Sequence, residues 1–219
     1  MRAIALGPSG SGKTVFIQSL IVDLMRTRGG GSCFLHIYVW SPSINLDPVW
    51  TTVKDFAKVL KQEDDCFYEE FNPADLQAVI EKQQKLITQL KQRGSKILPN
   101  ILIVVDDFAD DVAVARRETL LHQLFMRGRH SKISTLISTQ KYRALAPQIR
   151  TQALSFFVFK LRSQQELDAL LDEVSALGGR KLVNGFYRVA TKRSYSFLYI
   201  RLDQHQPQLL ERCDYVLEP

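Results

Sequence analysis

The chain has 219 residues, of which 45% are hydrophobic and 24% are charged, and its formal net charge is +6. This length is sufficient for a full hydrophobic core, and no apolar stretch is long enough to cross a bilayer. Its three cysteines are far apart and form no CxxC pair, which argues against a disulfide framework or a zinc site. Cysteines used in this way favour a reducing, intracellular compartment.

A glycine-rich loop lies near the amino terminus, between a short apolar run and a stretch with helical apolar spacing. The pattern G-x-x-x-x-G-K-[ST] is matched there by Gly7, Pro8, Ser9, Gly10, Ser11, Gly12, Lys13 and Thr14. The glycines let backbone N–H groups curl around an anion, and the following helix directs its positive dipole end towards it. The motif predicts that Lys13 contacts the β- and γ-phosphates of a nucleotide and that the Thr14 hydroxyl binds Mg²⁺.

Strands and helices alternate after this loop, which is typical of an α/β protein with a mostly parallel sheet and helices on both faces. The pattern predicts a strand over 34–40 and a helix over 48–60. A third helix is predicted to start after Asn72, with Pro73 in its first turn, and to end at Gly94. The Gln/Lys-rich face of this helix is predicted to be solvated.

A continuous apolar run leads to a pair of carboxylates. Residues 101–105 are all apolar, as in a strand buried on both faces, and Asp106 and Asp107 follow. An acidic residue at the tip of such a strand holds Mg²⁺ in nucleotide-hydrolysing proteins, and this role is predicted for Asp106. A second carboxylate can orient and activate the attacking water, which is the role predicted for Asp107. Asp110 and Asp111 are explained by the start of the next helix.

The alternation continues to the carboxyl terminus. Further elements are predicted in this order: a helix over 112–125, a strand over 133–138, a strand over 154–161 and a helix over 164–175. Two glycines at 178–179 then interrupt the chain. The runs 186–190 and 195–202 alternate in polarity and predict a C-terminal β-hairpin. Because no repeat or linker is visible, we predict a single domain over residues 1–219.

Positive charge is concentrated in one segment of the chain. Between Thr119 and Gln165 there are eight Lys or Arg residues and no Asp or Glu, which points to a polyanion such as nucleic acid. Arginines of this segment are also candidates for a finger that stabilises the transferring phosphoryl group of a neighbouring subunit. Arg129 is favoured for this role, with Arg127 next, and Arg143 and Arg150 are the other candidates.

Gln140 stands at the end of the strand predicted over 133–138. A polar side chain at this position is suited to contact the γ-phosphate or the attacking water, and so to sense hydrolysis. Its position one strand after Asp106 and Asp107 supports this prediction.

Several segments together resemble the FtsK/HerA group of P-loop ATPases, and within it the poxvirus-type DNA-packaging ATPases of poxviruses, giant viruses, virophages and polinton elements. The resemblance covers most of the chain. It rests on GPSGSGKT at 7–14, YVWSPS at 38–43, IVVDDF at 103–108, GRHSKISTLISTQKYR at 128–143, PQIRTQ at 147–152 and SYSFLYI at 194–200. The GRH, strand and STQ combination, followed by an arginine-bearing segment, is its most specific part.

The resemblance implies a RecA/ASCE-like P-loop fold with an additional strand between the phosphate-loop strand and the acidic strand. It also implies a homo-oligomeric ring of five or six subunits that hydrolyses ATP with Mg²⁺ between subunits. Such rings translocate double-stranded DNA into a preformed capsid and work with a capsid or portal-vertex protein. The expected location is the host cytoplasm or viral assembly site, with virion association as an alternative.

Position by position, the resemblance assigns the same roles as the residues themselves. Lys13 and Thr14 match the phosphate and Mg²⁺ ligands, and the remaining matches are Asp106 for Mg²⁺, Asp107 for catalysis, Gln140 for sensing and Arg129 for the GRH arginine. The wider group often has Glu where this chain has Asp107. The shorter side chain would place the attacking water differently.

Two other functions fit the same motifs. A small-molecule kinase would use the basic segment as a lid over its acceptor, and an assembly module would bind nucleotide without motor activity. The Asp106–Asp107 pair and Gln140 favour water as the acceptor, and the absence of an N-K-x-D run disfavours a GTPase. An intact Lys13 and Thr14 argue against an inactive site.

Overall fold

The computed structural model describes residues 1–27, 29, 31–62, 66–107, 114–203 and 206–217, without the side chains of 114–118 and 215. These residues form two compact units, the first of Met1 and residues 14–136, the second of residues 2–13 and 137–219. The assignment of a single domain over 1–219 stays a prediction.

The described residues contain strands and helices in alternation, as the sequence predicted. The strands are β1 (Arg2–Leu6), β2 (His36–Trp40), β3 (Phe67–Tyr68), β4 (Ile101–Asp106), β5 (Ile133–Thr139), β6 (Ser155–Phe159), β7 (Phe197–Arg201), β8 (Gln208–Glu211) and β9 (Tyr215–Val216). The α-helices are α1 (Lys13–Ser19), α2 (Pro48–Val59), α3 (Pro73–Gln92), α4 (Val114–Arg127), α5 (Pro147–Gln152), α6 (Gln164–Glu173) and α7 (Arg180–Ala190). None of the described helices is long and apolar enough to cross a membrane.

The first unit is built around the strand order β3-β2-β4-β5. β2 runs parallel to both β3 and β4, and every residue of β4 is buried, as expected for a strand covered on both faces. β5 is equally buried along its whole length, and its last residues, from Ile137, belong to the second unit.

The second unit has the strand order β5-β1-β6-β7-β8-β9. β1 and β6 are parallel, whereas β7, β8 and β9 each run antiparallel to the strand before them. Since β5 has β4 as its neighbour in the first unit and β1 in the second, it is the additional strand that the family resemblance implied. The mostly parallel α/β sheet is thus confirmed.

The helix starts follow the capping residues that the sequence provides. The Asn72 side chain accepts a hydrogen bond from the Ala74 N–H before α3, and the Asp47 side chain accepts one from the Val49 N–H before α2. Gly94 has a φ of 71°, which suits the left-handed stop predicted for the end of α3.

One prediction about elements was wrong. The region 186–190 is not a hairpin arm but the end of α7, which buries Val183, Tyr187 and Ala190 at helical spacing. The five residues 186–190 span less than one and a half helical turns, so their polarity pattern could not distinguish the period of a helix from that of a strand. The antiparallel pairing at the carboxyl terminus is instead made by β7, β8 and β9.

The Gln/Lys-rich face of α3 is solvated, as predicted. Lys82, Gln84, Lys85, Gln89, Lys91 and Gln92 are all exposed, whereas Gln83 lies on the buried face with Leu76, Ile80 and Ile87 and is only 4% exposed. The helix predicted over 112–125 is observed as α4, and its predicted first residues, like Phe108, Asp110 and Asp111, lie outside the described residues.

Candidate functional site

The glycine-rich loop follows β1 in the second unit, and its glycines are required by the space around it. The Gly7 N–H donates to the Thr139 carbonyl at 3.2 Å, which joins the loop to the end of β5. A Cβ at Gly7 would lie 2.8 Å from Phe159 Cβ, so no larger residue fits. Gly10 and Gly12 have φ values of 74° and 97°, a backbone conformation that residues with a side chain rarely adopt.

Lys13 is folded into the curve of this loop. Its ammonium donates to the carbonyls of Gly7 at 2.8 Å and of Pro8 at 3.2 Å, and the residue is only 7% exposed. The Ser11 hydroxyl is buried and has no hydrogen-bond partner among the described residues. An enclosed ammonium and an unused hydroxyl beside backbone N–H groups are suited to bind phosphate oxygens, so these residues fit the phosphates of a nucleotide. Thr14, the predicted Mg²⁺ ligand, is half-buried at the start of α1.

Asp106 lies at the carboxyl end of β4 in the first unit and is held by a serine that the sequence analysis missed. The register of the parallel strands places Trp40 opposite Val105, so Ser41 and Asp106 are the next residues on the two strands. The Ser41 hydroxyl donates to Asp106 Oδ2 at 3.1 Å, and the two residues are 0% and 3% exposed. A buried carboxylate with one oxygen fixed in this way is a suitable oxygen ligand for Mg²⁺.

Ser41 is itself part of a short polar chain. Its hydroxyl lies 3.1 Å from that of Ser43, which accepts a hydrogen bond from Trp50 Nε1 at 3.3 Å. The available signal was the position of Ser41 directly after a strand, in the YVWSPS run. The neighbour of that strand is known only from the sheet, so the partner Asp106 could not be derived from this position.

Asp107 has an unusual backbone. Its φ of 56° lies in the left-handed region, which few residues other than glycine adopt and which Asp and Asn tolerate best. Its side chain is exposed, whereas that of Asp106 is buried. The turn thus separates two adjacent carboxylates into different environments, and residues in such conformations are common at functional sites.

Gln140 is placed beside the phosphate loop within the second unit. The preceding residue, Thr139, accepts from the Gly7 N–H through its carbonyl and from the Lys141 N–H through its hydroxyl, at 3.1 Å in the second case. Gln140, which lies between Thr139 and Lys141 in the chain, is half-buried. The structure therefore places Gln140 one residue from a contact with the phosphate loop, and its sensing role stays a prediction.

Arg129 is exposed and lies at the other end of β4 from Asp106. It is part of the short 3₁₀ turn Gly128–Ser131. Lys132 follows this turn, and its carbonyl accepts a hydrogen bond from the Ile101 N–H at 3.0 Å. Ile101 begins β4 and Asp106 ends it, a separation of about 17 Å at the usual rise of a strand. The structure does not bring Arg129 to the Asp106 carboxylate of the same chain.

The other candidate arginines differ in how strongly they are held. Arg150 forms a 3.4 Å ion pair with Glu173, lies over the Tyr142 ring at 5.1 Å, and its side chain is 17% exposed. Tyr142 donates to Glu173 at 3.3 Å, and burial together with that negative charge raises the pKa of Tyr142. Arg127 and Arg143 are exposed. Apart from Arg150, all the cations of the segment from Thr119 to Gln165 are exposed.

Comparisons with known proteins agree with this fold. A family model described as Poxvirus A32 protein matches residues 1–201. The genome packaging NTPase B204 from Sulfolobus turreted icosahedral virus 2, solved with AMP, aligns with a TM-score of 0.59 at 14% identity, covering 94% of this chain and 95% of B204. B204 from Sulfolobus Turreted Icosahedral Virus, described as the DNA-packaging ATPase, has a TM-score of 0.55 at 18% identity over 94% and 95% of the two chains.

A bacterial protein shares the same fold. EssC (ATPases 2 and 3) from Geobacillus thermodenitrificans aligns with a TM-score of 0.58 at 15% identity, over 77% of this chain and 34% of EssC. No curated protein sequence matches the chain. At these identities the solved structures show only that the fold is shared. The match to the family model is a match of sequence.

Proposed function

The chain belongs to the poxvirus A32 protein family, a family of genome-packaging ATPases, and from this membership we propose that it hydrolyses ATP to translocate double-stranded DNA into a preformed capsid. The observation that carries the proposal is the phosphate loop of the second unit. There the Lys13 ammonium is enclosed by loop carbonyls and Gln140 lies beside the loop. Solved B204 complexes with AMP, ATP-gammaS and AMPPCP support a nucleotide as the ligand of this fold.

The proposed roles follow from the chemistry of each side chain. Lys13 and the loop N–H groups hold the phosphates, and Thr14 and Asp106 provide oxygen ligands for Mg²⁺, with Asp106 oriented by Ser41. Bound Mg²⁺ supplies positive charge that offsets the charge developing on the phosphoryl oxygens. The exposed Asp107 carboxylate orients the attacking water, and Gln140 contacts the γ-phosphate end of the site.

The exposed cations of the segment 119–165 support DNA as the polyanion, because contacts with the phosphate backbone need no base readout. Ring assembly, with five or six subunits and an arginine supplied between them, is part of the proposal. A capsid or portal-vertex protein is the proposed docking partner. The proposed site of action is the host cytoplasm or the viral assembly site.

Steady-state ATP hydrolysis with and without linear double-stranded DNA, over a range of protein concentrations, tests the proposal. We expect turnover per subunit to rise with both DNA and protein concentration.

Lys13→Ala should abolish ATP binding. Asp107→Asn should keep ATP binding but lower kcat at least about 100-fold, because asparagine tolerates the same φ and cannot accept a proton. Turnover that depends on neither DNA nor protein concentration would contradict a ring motor and favour a kinase or an assembly switch.

A further inference from the structure

A cavity of about 460 Å³ opens beside the phosphate loop, entirely within the second unit. It lies between three segments of the chain, namely residues 8–11, 160–162 and 191–196, and we call it the base cavity. The first segment is the start of the phosphate loop, the second follows β6, and the third joins α7 to β7. The cavity therefore continues directly from the loop that is proposed to bind phosphates.

Tyr195 is the aromatic side chain of this cavity, and its position is unusual in two respects. It is 69% exposed, although large aromatic rings are usually well buried, and its φ of 60° lies in the left-handed region. Its Cδ1 lies 3.3 Å from the position that a Cβ would take at Gly12, so the ring packs against the phosphate loop. A strained backbone thus presents an exposed aromatic ring next to the phosphate site.

Two buried hydroxyls in the walls of the base cavity have unused hydrogen-bonding capacity. Ser196 is only 2% exposed, and neither its hydroxyl nor that of Ser11 has a hydrogen-bond partner among the described residues. Buried hydroxyls are normally satisfied, and leaving one without a partner is costly. The two serines belong to different segments that line the cavity, so the wall is polar in both segments.

The charge of the walls identifies the class of ligand. The exposed cations among the lining residues are Lys160, Arg162, Lys192 and Arg193. The lining residues include no Asp, Glu, Asn or Gln side chain that could pair with a specific donor and acceptor pattern on a base edge. The described walls therefore suit an anionic ligand with an aromatic ring, held by stacking and charge.

We propose that the base cavity holds the base and ribose of the nucleoside triphosphate, with the base stacked on Tyr195. This inference rests on the proposed nucleotide binding at Lys13 and deepens it. Because stacking uses the ring face and not the base edge, the site accepts both purine triphosphates, and ATP and GTP should bind with affinities within about fivefold of each other.

Equilibrium titrations with ATP, GTP and inorganic tripolyphosphate test this assignment on the full chain. Tyr195→Asn removes the ring and tolerates the left-handed backbone, and Tyr195→Phe keeps the ring as the matched control. Tyr195→Asn should weaken ATP and GTP about tenfold, since base stacking on an aromatic side chain typically contributes that much. Its affinity for tripolyphosphate should stay within about twofold of the unchanged chain, because phosphates do not stack, and Tyr195→Phe should bind all three ligands normally. Thermal unfolding confirms that both variants are folded.

The outcomes separate this inference from the proposed function. If Lys13→Ala abolishes binding of ATP and tripolyphosphate while Tyr195→Asn changes neither, nucleotide binding stands and the base cavity is overturned. Equal weakening of ATP and tripolyphosphate by Tyr195→Asn would assign the cavity to phosphate. Loss of DNA affinity in Tyr195→Asn with unchanged ATP affinity would assign it to DNA. If the unchanged chain binds neither ATP nor tripolyphosphate, both proposals fail.

Discussion

At the scale of single residues, Ser41 holds one carboxylate oxygen of Asp106, the proposed Mg²⁺ ligand. A carboxylate that could rotate freely would offer either oxygen to an ion. The Ser41 hydroxyl donates a hydrogen bond to Asp106 Oδ2 at 3.1 Å and so fixes the orientation of the carboxylate. Partners of this kind orient ligands and stabilise the charged form of the carboxylate. Ser41 is therefore a positioning residue for the proposed Mg²⁺ site.

Ser41→Ala should raise the Mg²⁺ concentration needed for half-maximal ATP hydrolysis about tenfold, the usual effect of losing a partner behind a metal ligand. With saturating Mg²⁺, kcat should recover most of its value because Asp106 itself remains. The measurement is a Mg²⁺ titration of hydrolysis at fixed ATP.

Ser43→Ala is the matched control for this experiment. It removes a hydroxyl from the same polar chain but leaves the contact between Ser41 and Asp106 in place. A Mg²⁺ requirement that changes equally in the two variants, or in neither, would show that the Ser41 hydroxyl does not orient the carboxylate.

At the scale of elements, α3 is joined to the start of β4 and to the turn that carries Arg129. The amide of the buried Gln83 donates to the carbonyls of Pro99 at 3.0 Å and of Ser131 at 3.1 Å. One side chain thereby satisfies two backbone acceptors from different loops. Gln83 therefore fixes the turn Gly128–Ser131 against the helix.

Gln83→Leu should lower the free energy of unfolding by about 2 kcal/mol, because two carbonyls lose their donor in a buried place. Gln84→Leu is a matched control, since Gln84 is the exposed next residue of the same helix and should change stability by no more than about 0.5 kcal/mol. Urea denaturation of the two variants measures the difference. Equal stabilities would mean that the two hydrogen bonds of Gln83 add nothing to the fold.

The elements also show which features a sequence can predict. α2 and α3 were located well because a capping side chain, a proline and a long apolar period all agree on one helix. The end of α7 was misassigned because five residues carry too little periodicity to distinguish a helix from a strand.

The candidate site divides in the same way. The phosphate loop and Asp106 belong to local motifs, so the chain alone was enough to predict their roles, which stay predictions. Ser41 and Tyr195 acquire their places through the register of β2 with β4 and through packing on Gly12. Such contacts join residues far apart in sequence, and the left-handed backbones of Asp107 and Tyr195 leave no pattern in residue types.

At the scale of the whole molecule, the position of Arg129 favours a site completed by another subunit. It is exposed at the amino end of β4, whereas Asp106 lies at the carboxyl end, so it cannot serve the Asp106 of its own chain. In a closed ring with head-to-tail interfaces, one surface of each subunit faces a different surface of the next. An arginine remote from the proposed Mg²⁺ ligand of its own chain is compatible with such an arrangement.

Mixing two inactive variants tests whether Arg129 acts between subunits. Arg129→Ala and Lys13→Ala should each lower kcat at least about 100-fold when alone, because a missing finger or a missing phosphate ligand stops phosphoryl transfer. In an equal mixture, an Arg129→Ala subunit keeps its own Lys13 and can receive an intact Arg129 from a Lys13→Ala neighbour. Random assembly of a head-to-tail ring should then restore about a quarter of the original turnover.

Arg127→Ala provides the matched comparison, since Arg127 is equally exposed just before the same turn and should retain hydrolysis if Arg129 is the finger. Recovery that appears only in the mixture, and that disappears on dilution below the assembly concentration, requires an arginine supplied by a neighbour.

The absence of recovery with Arg129→Ala would remove Arg129 from this role. Mixing should then be repeated with Arg143→Ala, because Arg143 is exposed in the segment that follows Gln140. Arg150 is held by Glu173 and Tyr142 within its own unit, so its replacement should reduce stability and gain nothing from mixing.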